Sequence, residues 1–580
     1  MLTGSGGIAA EPAAPESGEI HYKIEWKGLK KHPQEKALKE VSRIESLKEL
    51  SIPSIPLLRK RLDEDLLRLT SFLQAKGYYL AEVQGQYDSS SVPGVVRFQC
   101  NPGPLFTIGE QTFTYRGDTV PHKKWQPYIN GSDPATTQVI LNSEKYMLRH
   151  FQNTGHPFPQ ILTRNYVLDP ERKKMDLNYE IDPGPIMRMG KVTIQGLESV
   201  GEKSILRQIN WKPGDLYDLR LLEEFEKELI LTGLFSRVKL TPAPSETEAP
   251  QIDFTLAVTE RYHRTFRFGV DHRSDVGFGM KTSWEHRNYF GKGEKLRLDF
   301  TLAEEETIAG IVIRKPGFQI RNQSLVLGLT ASEERPDAYT SQSLESYVGL
   351  EREYNRRFAN SIGIAYKYAT VEQGGDEDLY GLLSLPLQSV WDTTANDLHP
   401  SKGHRLISQA TPYTDLLNQD LTFGRLQVIG SKYHIIHKRP QLVLAGRVAV
   451  GSLLGAEVDD IPADERFYAG GGGSVRGFSY QSIGPKEDGE SIGGSSLLEV
   501  SAELRARFTE TWGLATFLDG GMVTNEKAPF GNQPLQWGAG AGLRIFTGIG
   551  PLRLDLAYPI NPDEDQESRL QFYISLGQSF

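Results

Sequence analysis

Lys295-Leu296-Arg297-Leu298-Asp299-Phe300-Thr301-Leu302 places an apolar side chain at every even position and a polar one at every odd position. Successive side chains of an extended strand point to opposite faces, so this octet has one apolar and one polar face. Leu552-Arg553-Leu554-Asp555-Leu556 repeats the pattern near the chain end. Sandwich strands also alternate, but runs as long as Leu421 to His434 would be unusual there; a barrel with its outer face in hydrocarbon accommodates them. Between Tyr262 and Phe580, at roughly twenty residues per strand and turn, the chain holds about sixteen such strands.

Composition agrees with a barrel and removes other classes. The 580 residues carry a net charge of −9 and a pI near 5.9, which gives no case for a nucleic-acid partner. Mean hydropathy is −0.41, and no window approaches eighteen uninterrupted apolar residues, so membrane-crossing helices are excluded. A barrel escapes that test because only alternate residues of each strand meet lipid. The single cysteine, Cys100, permits no intrachain disulfide and no multi-cysteine metal site, and is expected to be a small core residue. Residues 1–18 have small residues and prolines but neither the basic start nor the apolar core of a signal peptide. They are expected to be a disordered segment opening a mature or re-started chain.

Ahead of the barrel the rhythm changes. Gly77, Gly155 and Gly233 recur at equal intervals, each closing a helical pattern and opening a strand, as in Leu231-Thr232-Gly233-Leu234-Phe235. Asn101-Pro102-Gly103-Pro104 and Asp182-Pro183-Gly184-Pro185 form a second matching pair of markers. Regular self-similarity of this kind means tandem modules. In the third, Lys191 to Ile194 alternates as a strand, Glu202 to Gln208 and Arg220 to Leu231 have helical spacing, and Ser236 to Leu240 and Ile252 to Val258 alternate again. The fold expected is therefore α+β, a triplicated βααββ module at 19–104, 105–185 and 186–261, followed by an all-β barrel of about sixteen antiparallel strands at 262–580.

One stretch inside the barrel is too glycine-rich for a strand: Gly470-Gly471-Gly472-Gly473-Ser474-Val475-Arg476-Gly477-Phe478. Glycine allows positive φ, so the run can be an ordered loop pressed into the lumen with Arg476 as its anchor. Glu499, Ser501, Glu503, Arg505 and Arg507 share the parity opposite to Leu498, Val500, Ala502 and Leu504, and so point into the barrel; Asp519 sits beside Gly520 and Gly521, which leave room for a loop. A buried fork-type pair of Arg476 with these acids is one reading. Independent solvated charges in a wet lumen are the other.

Other candidate sites fail. Gly470 to Gly473 is not followed by Gly-Lys-Ser/Thr, so it is no phosphate cradle. His150, His156, His434 and His437 lack metal-ligand spacing and are expected on the surface or in the lumen. Asp376-Glu377-Asp378 and Asp459-Asp460 read as solvated loop tips. There is no catalytic constellation, so no enzyme, cofactor or metal is expected.

Val475-Arg476-Gly477-Phe478, the strand with Leu498, Glu503 and Arg505, and Phe517-x-Asp519-x-Gly521 together resemble the signature motifs of the BamA/TamA superfamily of outer-membrane barrel assembly proteins. The tandem modules resemble its polypeptide-transport-associated (POTRA) domains. The chain end, Leu570 to Phe580, resembles its outer-membrane targeting signal with a terminal aromatic, Phe580, although Gln578 departs from the apolar alternation. Three modules before a sixteen-stranded barrel are similar to the TamA branch. The resemblance implies a barrel in the bacterial outer membrane with POTRA domains in the periplasm. It also implies Val475 to Phe478 as the lumen loop motif, Asp519, Glu503 and Arg505 as its lumen partners, and Gly577 with Phe580 at the seam and targeting signal. The partners it implies are a TamB-like inner-membrane-anchored protein, client outer-membrane proteins of autotransporter type, and outer-membrane lipid. Assembly and insertion of β-barrel proteins, with phospholipid delivery to the outer membrane, is the function expected. A two-partner-type polypeptide secretion pore or a solute channel is the alternative.

Overall fold

The computed structural model describes residues 20–116, 125, 128–243, 250–273, 277–396, 398–418, 420–528, 533–548, 550–562, 570–578 and 580. The N-terminal segment 1–18 lies outside them. Two compact units divide within the third module: one holds the first two modules with residues 186–193, 210–224 and 242–254, the other residues 194–209, 225–241 and 255–580.

In the first module, β1 (Tyr22–Lys27), α1 (Glu35–Val41), α2 (Arg43–Ser46), α3 (Ile55–Ala75), β2 (Glu82–Asp88) and β3 (Gly94–Asn101) form a sheet of order β1-β3-β2 covered by helices. α3 buries Leu58, Leu62, Leu69 and Leu73, spaced to share one helical face, in a core with Val96 and Phe98. Cys100 is 2% exposed in that core, and burial pushes its thiol up to about 11. Gly77 takes φ +92 after the C-cap of α3, a left-handed turn that glycine enters without strain.

The second module has β4 (Thr107–Tyr115), α4 (Thr137–Gln152), β5 (Gln160–Asp169) and β6 (Lys174–Asp182), in sheet order β4-β6-β5. His156, expected on the surface or in the lumen, is instead fully buried here with its Nδ1 2.9 Å from the Gly184 carbonyl. The third module has β7 (Arg188–Gln195), α5 (Glu202–Leu206), α6 (Leu219–Leu231), β8 (Phe235–Ala243) and β9 (Gln251–Glu260), in order β7-β9-β8.

The barrel runs β10 (Arg264–Arg273), β11 (Gly277–His286), β12 (Lys295–Ala303), β13 (Glu306–Pro316), β14 (Gln323–Glu334), β15 (Thr340–Asn355), β16 (Phe358–Gln373), β17 (Asp376–Ser384), β18 (Leu387–Asp392), β19 (Gly403–Asp415), β20 (Thr422–Lys438) and β21 (Gln441–Leu454). A long loop carrying the short hairpin β22 (Lys486–Glu487) and β23 (Glu490–Ser491) follows. Then come β24 (Ser496–Arg507), β25 (Trp512–Thr524), β26 (Gln536–Thr547), β27 (Gly550–Pro559) and β28 (Gln571–Leu576), which closes on β10. β17 and β18 both pair with β16 and β19; they are two halves of one wall strand interrupted at Leu385-Pro386, where proline has no amide to donate. Counted so, the wall has sixteen strands. Asp376 to Asp378 open β17 rather than forming a loop tip, because the turn is made by Gly374 and Gly375.

Alternation becomes geometry on this wall. Leu298, Leu302 and Leu556 are 39%, 46% and 48% exposed on the outside, while Glu499, Glu503 and Asp555 are buried in the lumen. No helix among the described residues is long and apolar enough to cross a membrane; the strands provide the apolar exterior.

Part of the third module, residues 194–209, 225–241 and 255–261, shares one compact unit with the barrel. The Glu260 carboxylate, at the end of β9, accepts from the Glu198, Ser199 and Val200 amides at 2.9, 3.0 and 2.9 Å and from the Ser199 hydroxyl at 2.6 Å. Burial pushes that carboxyl up, but the Ser199 hydroxyl and the three amides outweigh it and hold it down at about 2. Asn288, just after β11, donates to the Ser199 carbonyl at 3.1 Å, and Arg321, in the turn before β14, grips Glu228 of α6 at 2.6 and 2.5 Å.

Candidate functional site

The loop after β21 enters the lumen, as its glycines allow. Arg476 is 1% exposed. Its Nε and Nη2 donate to the two Asp519 carboxylate oxygens at 2.6 and 3.0 Å, a bidentate fork. Nη1 donates to Glu503 at 3.0 Å and to Asp555 at 3.1 Å, and the guanidinium lies 3.4 Å from the centre of the Phe517 ring. Arg476, Asp519, Glu503 and Asp555 are all buried, which removes the screening that would make such pairs weak, so the solvated-charge reading does not describe this loop.

Close approach depends on what is missing from the wall. A Cβ on Gly538 would sit 1.9 Å from the Arg476 carbonyl oxygen, and one on Gly521 would sit 2.5 Å from the Val475 side chain. Gly520, also expected to leave room, faces outward toward Trp537 instead. Gly477 has φ +101 and its amide donates to the Tyr573 hydroxyl of β28 at 3.1 Å. Val475 and Phe478 are buried in an apolar cluster with Phe467, Leu497 and Val523.

Arg505 differs from its expected place as a partner of the loop. It lies one layer below, where Nε donates to Glu503 at 2.8 Å and Nη2 donates to the terminal carbonyl oxygen of Phe580 at 3.0 Å. Arg544 joins the same network, donating to Glu503 at 3.3 Å and pairing with Asp555. Sequence reasoning does not single out Asp555, Gly538 or Tyr573 as loop contacts, or Arg544 in the network behind them; the odd parity of Asp555 in Leu552 to Leu556 is the available signal for the first.

The chain end also departs from a simple last strand. β28 stops at Leu576, and Gly577 takes φ +95. Gln578 therefore turns inward, accepting from Arg544 Nε at 2.9 Å and donating toward His399 Nδ1 at 3.1 Å. Its polar character, anomalous on a lipid-facing strand, suits that lumen position. The Phe580 ring lies against Tyr433 and Arg505. His399, in the turn after β18, is held at about 4, first by burial and then by the Arg505 and Arg507 charges.

The seam is short. Among the described residues β10 and β28 register at only His272↔Ile574 and Arg273↔Tyr573, whereas β10 and β11 register along all of β10.

An apolar-walled closed barrel with a loop held in its lumen, preceded by three α+β modules, defines an outer-membrane barrel with its modules in the periplasm. Residues 288–580 match the Omp85 superfamily domain, and residues 187–261 match the POTRA domain described as a surface antigen variable number repeat. The chain belongs to the Omp85 superfamily. It is 24% identical over 565 residues to outer membrane protein assembly factor BamA of Nitratidesulfovibrio vulgaris, across 90% of this chain and 68% of that one. Its fold is similar to the crystal structure of BamA from Haemophilus ducreyi lacking POTRA domains 1–3, with a TM-score of 0.66, 18% identity and coverage of 81% of this chain and 99% of that one. CdiB from Acinetobacter baumannii shares the fold at a TM-score of 0.50 and 16% identity, over 82% and 90% of the two chains.

Proposed function

We propose that this protein assembles client β-barrel proteins into the outer membrane by opening its wall at the β10/β28 seam. The observation carrying this reading is the seam itself: two registered pairs among the described residues, a last strand ended by Gly577, and a tail turned into the lumen. A strand edge that comes free is a template for an incoming strand. The relatives named as assembly factors support the same activity. A polypeptide pore through the lumen would require first extracting the buried Arg476 loop, so the geometry favours the seam. In the finer reading the protein is TamA-type. Its periplasmic modules engage a TamB-like inner-membrane-anchored partner, its clients include autotransporter-type barrels, and it delivers phospholipid to the outer membrane; this rests on the family resemblance.

The test is a disulfide across the seam, His272→Cys with Ile574→Cys, in a Cys100→Ser background. Locked protein is expected to stay folded and lose client insertion, with recovery on reduction. Full insertion by verified crosslinked protein overturns lateral opening. Binding of the partner is tested separately by deleting residues 19–104, which is expected to abolish capture of the TamB-like protein while the barrel still folds.

A further inference from the structure

A groove on the lipid-facing wall has a polar end. Two cross-strand rows build it. The first runs His404, Lys432, Gly446, Ala502, Leu518 on β19, β20, β21, β24 and β25; the second runs Trp391, Leu406, Gly430, Val448, Val500, Gly520, Trp537 from β18 to β26. Register partners on neighbouring antiparallel strands share a face, and Leu406, Val448 and Leu518 place that face outside, at 38%, 47% and 41% exposure. The groove encloses about 590 Å³ and is almost wholly apolar along its length. Five strands at about 4.8 Å spacing make the first row roughly 19 Å long, comparable with an extended fatty-acyl chain.

At Gly430 and Gly446 nothing within the protein requires glycine. A Cβ on Gly446 would meet no atom closer than 3.8 Å, and one on Gly430 likewise none closer than 3.8 Å; neither residue has positive φ. This contrasts with Gly538 and Gly521, whose side-chain space the lumen loop fills. The space over Gly430 and Gly446 is left open toward the bilayer.

The polar end lies toward the periplasm, since His404 is the second residue of β19, which rises from the periplasmic turn after β18. There Lys432 is exposed on the outer face with no ion-pair partner among the described residues, and His404 Nε2 is buried without a hydrogen-bond partner. Trp391 packs edge-on against His404 at 4.4 Å, an amphipathic ring at interfacial depth. An uncompensated cation on a lipid-facing wall is unfavourable, and its flexible stem lets the ammonium reach an interfacial anion.

We propose that this groove binds one glycerophospholipid of the periplasmic leaflet, its acyl chain over Gly430, Gly446 and Ala502 and its phosphate at Lys432 and His404. The site does not depend on the seam or on any client. The probe is dioleoylphosphatidylglycerol, titrated against the detergent-purified full chain and read by native mass spectrometry, with dioleoylphosphatidylethanolamine and lipid A as competitors. One phosphatidylglycerol is expected to be retained. Gly446→Leu, which has room to fold, is expected to cut retention at least tenfold, with heat-modifiable gel migration confirming an intact barrel. Lys432→Gln is expected to erase the preference for phosphatidylglycerol over the zwitterionic lipid. Equal retention by folded Gly446→Leu, no retained phospholipid in the parent protein, or a preference for lipid A would each overturn the assignment. If Gly446→Leu fails to fold, Gly430→Leu serves as the second filling variant with the same expected loss.

Discussion

The Gly477 amide donates to the Tyr573 hydroxyl at 3.1 Å, tying the lumen loop to the strand that closes the barrel. The loop anchor and the seam are therefore mechanically connected: movement of β28 away from β10 pulls on the residue next to Arg476. Tyr573→Phe removes only this hydroxyl and is expected to destabilise the loop by about 1 kcal/mol, the usual net value of one hydrogen bond. Limited proteolysis of the loop should accelerate while the barrel stays folded; unchanged cleavage would separate loop from seam.

Arg476→Ala leaves Asp519, Glu503 and Asp555 without their shared cation. Breaking a buried pair by removing one partner costs about 3–5 kcal/mol. In urea unfolding, Arg476→Ala and Asp519→Ala are expected to be strongly non-additive, since each abolishes the same fork. Strict additivity would mean that the fork contributes nothing to stability.

Gly538→Ala tests the fit from the opposite wall. The added methyl would overlap the Arg476 carbonyl, so the loop must shift or leave. Overpacking of this kind costs about 1–3 kcal/mol. A spin label near Ser474 is expected to gain mobility in the variant, and an unaltered spectrum would contradict the packing.

His399 predicts a pH dependence. Its value is lowered from the ordinary 6.5 to about 4, so the folded state binds fewer protons than the unfolded chain between those values. Stability attributable to this group is complete above about 6.5, falls as pH drops toward 4, and is flat below. Protonation would place a third cation beside Arg505 and Arg507 and end acceptance from Gln578. Comparing unfolding midpoints across pH 4 to 7, His399→Gln is expected to show a shallower slope than the parent protein. Identical slopes would exclude the residue as the titrating group.

Strand alternation after Tyr262 and the even recurrence of Gly77, Gly155 and Gly233 determined the barrel and its modules, because period-two burial and left-handed helix ends are local demands that leave their mark in the chain itself. Parity likewise put Glu503 in the lumen, and the neighbouring glycines put Asp519 there. Which of them Arg476 touches was a matter of tertiary structure, since strand stagger and loop depth bring Asp555 and Gly538 to it from strands remote in sequence, and leave Arg505 to hold the chain terminus instead. The inward turn of Gln578 was equally invisible, because a polar residue on an apolar face reads as a defect until Arg544 and His399 arrive from other strands to hydrogen-bond it.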